Sequence, residues 1–294
     1  MKFWLALSHT ATEHVVPLAQ RAEAVGFEGV SLADHMFVPE ELESKYLYSP
    51  DGAPPFEKTV DHADVWALVS AMATATKTLR FTLSTYILPI HDVFDSARGA
   101  ATASVLSQGR MHISVGVGWM KEEFDIIGVE WKSRGRRMDE MIEVMRKLWS
   151  EGPAEHHGEF YDFPPIHMNP SPRAPIPILI GGSSPPALRR SARLGDGWIG
   201  HGHTPDETVD LLDEMARLRA EAGRGDAPFE CIAPLVTPPN AADYARLTEK
   251  GLDAVISFPP SVMLGNWNST LEEELAFIDD YAESVIRPFG QIGP

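Results

Sequence analysis

Asp34-His35 sets a carboxylate beside an imidazole. An imidazole takes or gives a proton near neutral pH, and the group beside it can fix its orientation. Taken alone the dipeptide reads equally well as a surface ion pair, so its value depends on where the fold puts it. Gly116-Val-Gly118-Trp119 removes Cβ atoms just past an apolar run. That lets a backbone approach something flat or anionic. The pattern lacks the full dinucleotide fingerprint and its later acidic residue, so a Rossmann reading is weak. Glu122 and Glu123 follow. One can serve a substrate or a proton, while a carboxylate early in a helix is also favoured by the helix dipole alone. Gly181-Gly-Ser-Ser184 precedes a helical segment. Small residues and hydroxyls before a helix N-terminus make an anion site.

Other polar groups read as structural. Arg134, Arg136, Arg137 and Asp139 fit ion pairs around a helix start, and Arg189 and Arg193 fit a solvated face. His156-His157 and His201-Gly-His203 invite a metal, but neither has a carboxylate or cysteine at ligand spacing, and no metal is expected. No G-x-S-x-G elbow supports a serine hydrolase.

These residues need elements to hold them. Strand and helix signals alternate along the whole chain. Strands are expected at Lys2–Ser8, Glu28–Ala33, Leu79–Leu88, Met111–Val115, Ile176–Ile180, Asp196–Ile199, Phe229–Val236 and Leu252–Phe258. Helices are expected at Thr12–Val25, Asp61–Thr76, Val93–Leu106, Arg136–Trp149, Pro186–Leu194, Pro205–Ala222, Ala241–Lys250 and Leu271–Ile286. Such a run of β-then-α units in 294 residues fits a closed α/β (β/α)8 TIM barrel, read as one domain over 1–294. In that fold chemistry sits at the C-terminal ends of the strands. Phe37–Val60 and Glu151–Ala174 break the rhythm as long proline-bearing loops, which suggests functional insertions.

Composition narrows the class. The net charge of -17 argues against nucleic acid and anionic membrane as partners. No apolar run is long enough for a bilayer, and Met1–Leu7 reads as a first core strand and not a signal peptide. Cys231 is the single cysteine, which excludes an intrachain disulfide and points to the cytoplasm.

Ser107-Gln-Gly-Arg-Met-His-Ile-Ser-Val-Gly-Val-Gly-Trp119, with Arg134-Gly-Arg-Arg-Met-Asp-Glu140 after it, resembles the luciferase-like flavin and deazaflavin oxidoreductases. Gly181–Ser184 and Gly195-Asp-Gly-Trp-Ile-Gly200 are similar to further signatures of that superfamily. The resemblance spans nearly the whole chain. It implies that Asp34 and His35 lie at the cofactor, with His35 orienting the ring or handling a proton. It implies a ring bed of Ser84, Thr85, Tyr86 and Ile87 with Gly116, Gly118 and Trp119, a non-proline cis peptide at Tyr86–Ile87, and a phosphate loop of Gly181, Gly182, Ser183 and Ser184, with His201 beyond. It also implies that the second insertion folds over the barrel mouth, and that the chain forms a homodimer through barrel helices.

Within the superfamily, Val30–Pro39, Tyr86-Ile-Leu-Pro89 and Gly118–Phe124 look more like the coenzyme F-420 branch, which moves hydride on a 5-deazaflavin. The expected activity is hydride transfer to or from a small, fairly apolar organic substrate. The aromatics Tyr46, Tyr48, Phe56, Phe160, Tyr161 and Trp267 suggest that apolar character. Glucose 6-phosphate is disfavoured, because no lysine follows His201 at the matching place. The alternatives are an FMN-dependent monooxygenase using oxygen and a non-catalytic flavin or deazaflavin carrier.

Overall fold

The computed structural model describes residues 1–49 and 51–290; Pro50, in the first insertion, and 291–294 lie outside the described residues. Nine parallel strands form one sheet in the order β3-β2-β1-β11-β10-β9-β8-β5-β4. They are β1 (Lys2–Ala6), β2 (Gly29–Leu32), β3 (Arg80–Leu83), β4 (Tyr86–Ile87), β5 (Ile113–Gly116), β8 (Ile178–Gly181), β9 (Gly197–Ile199), β10 (Glu230–Ala233) and β11 (Ala254–Ile256). β3 pairs with β2, and β4 pairs with β5. A bridge between Phe81 and Met111, just before β5, sets β3 against the same neighbour that β4 pairs with. β3 and β4 are therefore two halves of one stave, and the nine strands close as an eight-stave (β/α)8 barrel.

Inward residues of β1, β8, β9, β10 and β11 form a small apolar cluster around Trp4, Leu179, Ile199, Ile232 and Ile256. The remaining staves fill the interior with small polar residues, among them Ser31 and the hydrogen-bonded pair Thr82 and Ser114. Outward residues build the larger core against the helices, with Phe3, Leu5, Phe81, Ile113, Ile178 and Trp198 as members. The N-terminal end is closed by Arg80, which pairs with Glu28 and Glu230 and lies over the Trp4 ring.

Helices begin where side chains can satisfy their free N–H groups. The segment expected from Asp61 starts as a helix only at Val65, because the Asp64 carboxylate accepts from Ala67 N–H and caps α2 (Val65–Ala75). Asp92 caps α3 (Val93–Leu106) in the same way. The last helix was expected to run unbroken to Ile286. It stays α-helical over Leu271–Tyr281 and widens to a π turn over Ala282–Ile286, just before Pro288. Proline lacks the N–H that the preceding turn needs, which accounts for the change of pitch.

The two insertions differ in use. Phe37–Val60 follows β2 and roofs the C-terminal face. Glu151–Ala174 contains an antiparallel hairpin, β6 (Ala154–His157) with β7 (Asp162–Ile166). Pro164 and Pro165 are tolerated in β7 because only one of its edges is paired. The hairpin packs on the helical layer and not over the mouth. Phe163 meets Phe94 of α3, and His156 bonds to Glu140 of α5 (Arg134–Leu148). The shared cause is polar: Glu140 also accepts the N–H groups of Phe160 and Tyr161 at the hairpin turn.

Candidate active site

A cavity of about 740 Å³ opens at the C-terminal ends of the strands, a size suited to a small-molecule ligand. Most of the residues singled out from the sequence meet there: Asp34, His35, Ser84, Thr85, Ile87, Gly116, Gly118, Trp119, Gly181, Gly182, Ser184 and His201 line it. Tyr46, Tyr48 and Phe56 of the first insertion and Trp267 add aromatic walls. Phe160 and Tyr161 belong to the distant hairpin and take no part.

His35 follows β2 and is buried. Its Nδ1 lies 2.9 Å from Oε2 of Glu123, in the first turn of α4 (Lys121–Ile127), and Glu123 is fully buried. Met36 N–H donates to the other carboxylate oxygen at 2.9 Å. An ionised carboxylate only accepts, so Nδ1 is the donor and Nε2 is left to the cavity. Glu122, one residue earlier, accepts the N–H groups of Glu43 and Ser44 and ties down the roof. Adjacent helix positions point in different directions, so the two glutamates have separate tasks. Asp34 positions the neighbouring stave. Its Oδ2 accepts Ile87 N–H at 2.8 Å and bonds to His91 Nε2 at the same distance.

The cis peptide lies at Ser84–Thr85 and not at Tyr86–Ile87. Tyr86 and Ile87 are already paired in register with Val115 and Gly116, so the irregular link falls between the two half-strands. Tyr86 is also a correction as a cavity residue. Strand side chains alternate, and Thr85 and Ile87 take the inward positions. Tyr86 points outward, stacks on His91 and bonds Ser96 through its hydroxyl. Thr85 fits between glycines: a Cβ at Gly116 or at Gly181 would collide with its side chain.

The anion loop is narrower than its sequence suggests. Gly182 has φ +106 and turns the chain into α6 (Pro185–Leu194). Pro185 and Pro186 occupy the first helical positions and carry no N–H. Ser183 does not line the cavity with its side chain, which bonds to His203 Nε2 at 2.8 Å. The Tyr48 hydroxyl hydrogen-bonds to the backbone of Ser183. The Tyr48 ring stacks on His201 at 3.5 Å, and burial, with the charge of His203, lowers the His201 pKa to about 3. Positive charge comes from Arg134, expected only as an ion-pair residue. It lines the cavity, lies over the Trp131 ring, and keeps a buried Nε–H without an acceptor. Arg136 pairs with Glu159 as expected, Asp139 pairs with Arg190 and with Arg193, expected on a solvated face, and Arg137 packs over the Phe160 and Tyr161 rings in place of the expected ion pair.

Two histidines that no motif marked complete the site. His9, beyond β1, lines the cavity, and His62 packs beside it. The His62 ring lies 5.4 Å from the His35 ring and 5.4 Å from the His9 ring. Among the described residues no group of side chains is arranged to hold a metal ion, and no helix is long and apolar enough to cross a membrane.

The family model for luciferase-like monooxygenases matches residues 3–282. An uncharacterized Mycobacterium tuberculosis protein, Rv0940c, is 36% identical over 287 residues, covering 97% of this chain and 99% of its own. An F420-dependent glucose-6-phosphate dehydrogenase of Amycolatopsis mediterranei is 31% identical over 63% of this chain and 52% of its own length. A pyrimidine monooxygenase, RutA, of Allorhizobium ampelinum is 29% identical over 68% of this chain and 57% of its own. Among solved structures, an F420-dependent secondary alcohol dehydrogenase superposes with TM-score 0.75 at 17% identity, over 97% of this chain and 98% of that one. At that identity the likeness concerns the fold.

Proposed function

The chain belongs to the luciferase-like monooxygenase family, and from that membership we propose that it is a coenzyme F-420-dependent oxidoreductase that moves hydride to or from a small, fairly apolar organic molecule. The observation that carries the reading is the buried His35–Glu123 pair at the cavity. Hydride transfer at an oxygen-bearing carbon needs a proton taken up or released beside it, and a fixed imidazole supplies that. The family also holds flavin-dependent members, so motif likeness and the F420-dependent relative are what favour the deazaflavin.

The residues fit such a cofactor. The shallow bed around Thr85, where Gly116 and Gly181 admit no Cβ, suits a flat ring. The unsatisfied Nε–H of Arg134, with the small residues Gly181, Gly182 and Ser184 lining the same cavity, suits a phosphate-bearing chain. When bound, the coenzyme supplies or accepts hydride at ring carbon five. The protein's own part is orientation and proton handling. Glu123 fixes the His35 ring, and Nε2 takes the proton from a hydroxyl or returns it to a carbonyl oxygen. The roof from Phe37 to Val60 excludes water.

Fluorescence quenching tests this directly, because Trp119 and Trp267 line the cavity. Coenzyme F-420 and FMN are titrated in parallel into the purified protein. Micromolar or tighter binding of F-420 alone supports the reading. Preference for FMN replaces it with oxygen-dependent chemistry, and binding of neither removes the redox assignment. His35→Ala is expected to bind F-420 within a few-fold of wild type and to lose turnover; turnover retained within threefold would argue that the imidazole handles no proton.

A further inference from the structure

Opposite the anion loop the cavity floor carries His9 and His35; Phe56 of the roof and Trp267 pack against His9, and His62, outside the lining, packs against both histidines. His9 lies 4.8 Å from Phe56 and 6.1 Å from Trp267, ring centre to ring centre. Its backbone has φ 61, in the left-handed region that histidine occupies uncommonly, so the surroundings hold the ring where it is. His9 Nδ1 is buried with no side-chain or backbone partner. A second chamber of about 20 Å³, lined by His9, Thr10, Asp61 and His62, adjoins it. That volume suits one water molecule, and Thr10 Oγ1 and His62 Nε2 are likewise buried without partners. Nδ1 thus lies with Thr10 and His62 at that chamber, and a proton carried on Nε2 makes the other edge of the ring a donor. Burial first, then the nearby histidines, hold His9 down at about 3 and His62 at about 4. Both rings are neutral at pH 7. Arg134 is the one lysine or arginine among the described residues lining the cavity, and Asp34 and Glu57 line it as well. An anionic substrate therefore meets no cation at this floor.

We propose that His9 recognises the substrate, its Nε2 hydrogen-bonding an uncharged oxygen, hydroxyl or carbonyl, of a compact molecule held between Phe56 and Trp267. The proposal deepens the reading above by naming the substrate class, and it places that oxygen near His35. Anionic analogues are rejected, because this floor offers a neutral donor and aromatic walls and no cation.

The test uses the full chain, with and without F-420. Cyclohexanone and cyclohexanol are titrated against cyclohexanecarboxylate, followed by tryptophan fluorescence. The neutral pair is expected to bind saturably and at least tenfold more tightly than the carboxylate. His9→Gly suits the backbone at φ 61, so it folds. It is expected to weaken cyclohexanone roughly threefold to tenfold, the factor one hydrogen bond between neutral groups carries. F-420 affinity should be unchanged, and His9→Gln should recover most of the loss. The proposal is overturned if neither neutral probe binds, if the carboxylate binds as well, or if His9→Gly leaves cyclohexanone unaffected. Failure of F-420 to bind wild type is a separate result, which removes the redox reading and leaves the probe comparison standing.

Discussion

Glu123 is the residue whose replacement should be felt most. It is fully buried, accepts Met36 N–H, and holds His35 Nδ1, each at 2.9 Å. A buried donor left dry and unpaired costs about 1–3 kcal/mol. Glu123→Ala leaves both Met36 N–H and the imidazole in that state. At roughly 2–4 °C per kcal/mol for a chain of this size, that loss of about 2–6 kcal/mol should lower the melting temperature by roughly 4–24 °C. Glu123→Gln keeps the volume and an oxygen for Met36 N–H. It exchanges a charge-assisted bond for a neutral one, a loss of about 1–2 kcal/mol. It also presents an N–H to Nδ1, which moves the ring proton to Nε2. Glutamine should therefore fold nearly as well as wild type yet turn over poorly. Urea unfolding followed by circular dichroism, with turnover measured on the same samples, separates the two. If alanine costs less than about 1 kcal/mol, the pair is not what holds His35. If glutamine retains full turnover, the ring proton's position does not matter.

Two further outcomes are expected. Tyr48→Phe frees the Ser183 backbone group that the hydroxyl now occupies, so the affinity for F-420 or FMN in a quenching titration should rise a few-fold; a weaker complex would show that the hydroxyl serves the ligand. Burial pushes the Glu230 carboxyl up, but His112 and Arg80 outweigh it and bring it down to about 2. Its contribution is therefore present above the ordinary carboxylate range and is lost as the pH falls from about 4.5 toward 2. Glu230→Gln should flatten that part of a stability-versus-pH curve, and an unchanged curve would refute the role of the Arg80 network.

The barrel was legible because every stave and helix has its own period, and the glycine-rich turn after β5 marks one strand end by itself. The cis peptide lies two residues before the expected place because Leu79–Leu88 reads as one unbroken strand rich in Thr, Phe, Tyr and Ile, and nothing in its composition shows where one stave hands over to two partners. Tyr86 was read into the cavity for the same reason: a shift of one position reverses the face. Glu123 could not be separated from Glu122 without knowing which side of α4 faces the barrel. His9 and His62 carry no motif. They meet because two loops 53 positions apart in sequence converge above β1, and only closure of the barrel makes them neighbours. The hairpin at 154–166 was hidden by its prolines, which a strand paired on one edge accepts.

The roofing loop touches both ends of the chamber, through Tyr48 at the anion loop and Phe56 beside His9 and His35. Tyr48 thus behaves as a ligand that the protein carries with it. Any anion that takes the Ser183 backbone group competes with that tether, and the competition is reciprocal: whatever holds the loop down weakens the anion by the factor by which the anion loosens the loop. Because Phe56 rides on the same segment, occupation of one end alters the walls at the other. The kinetic signature of such an arrangement is a compulsory order of binding, with the phosphate-bearing partner first and the smaller molecule second.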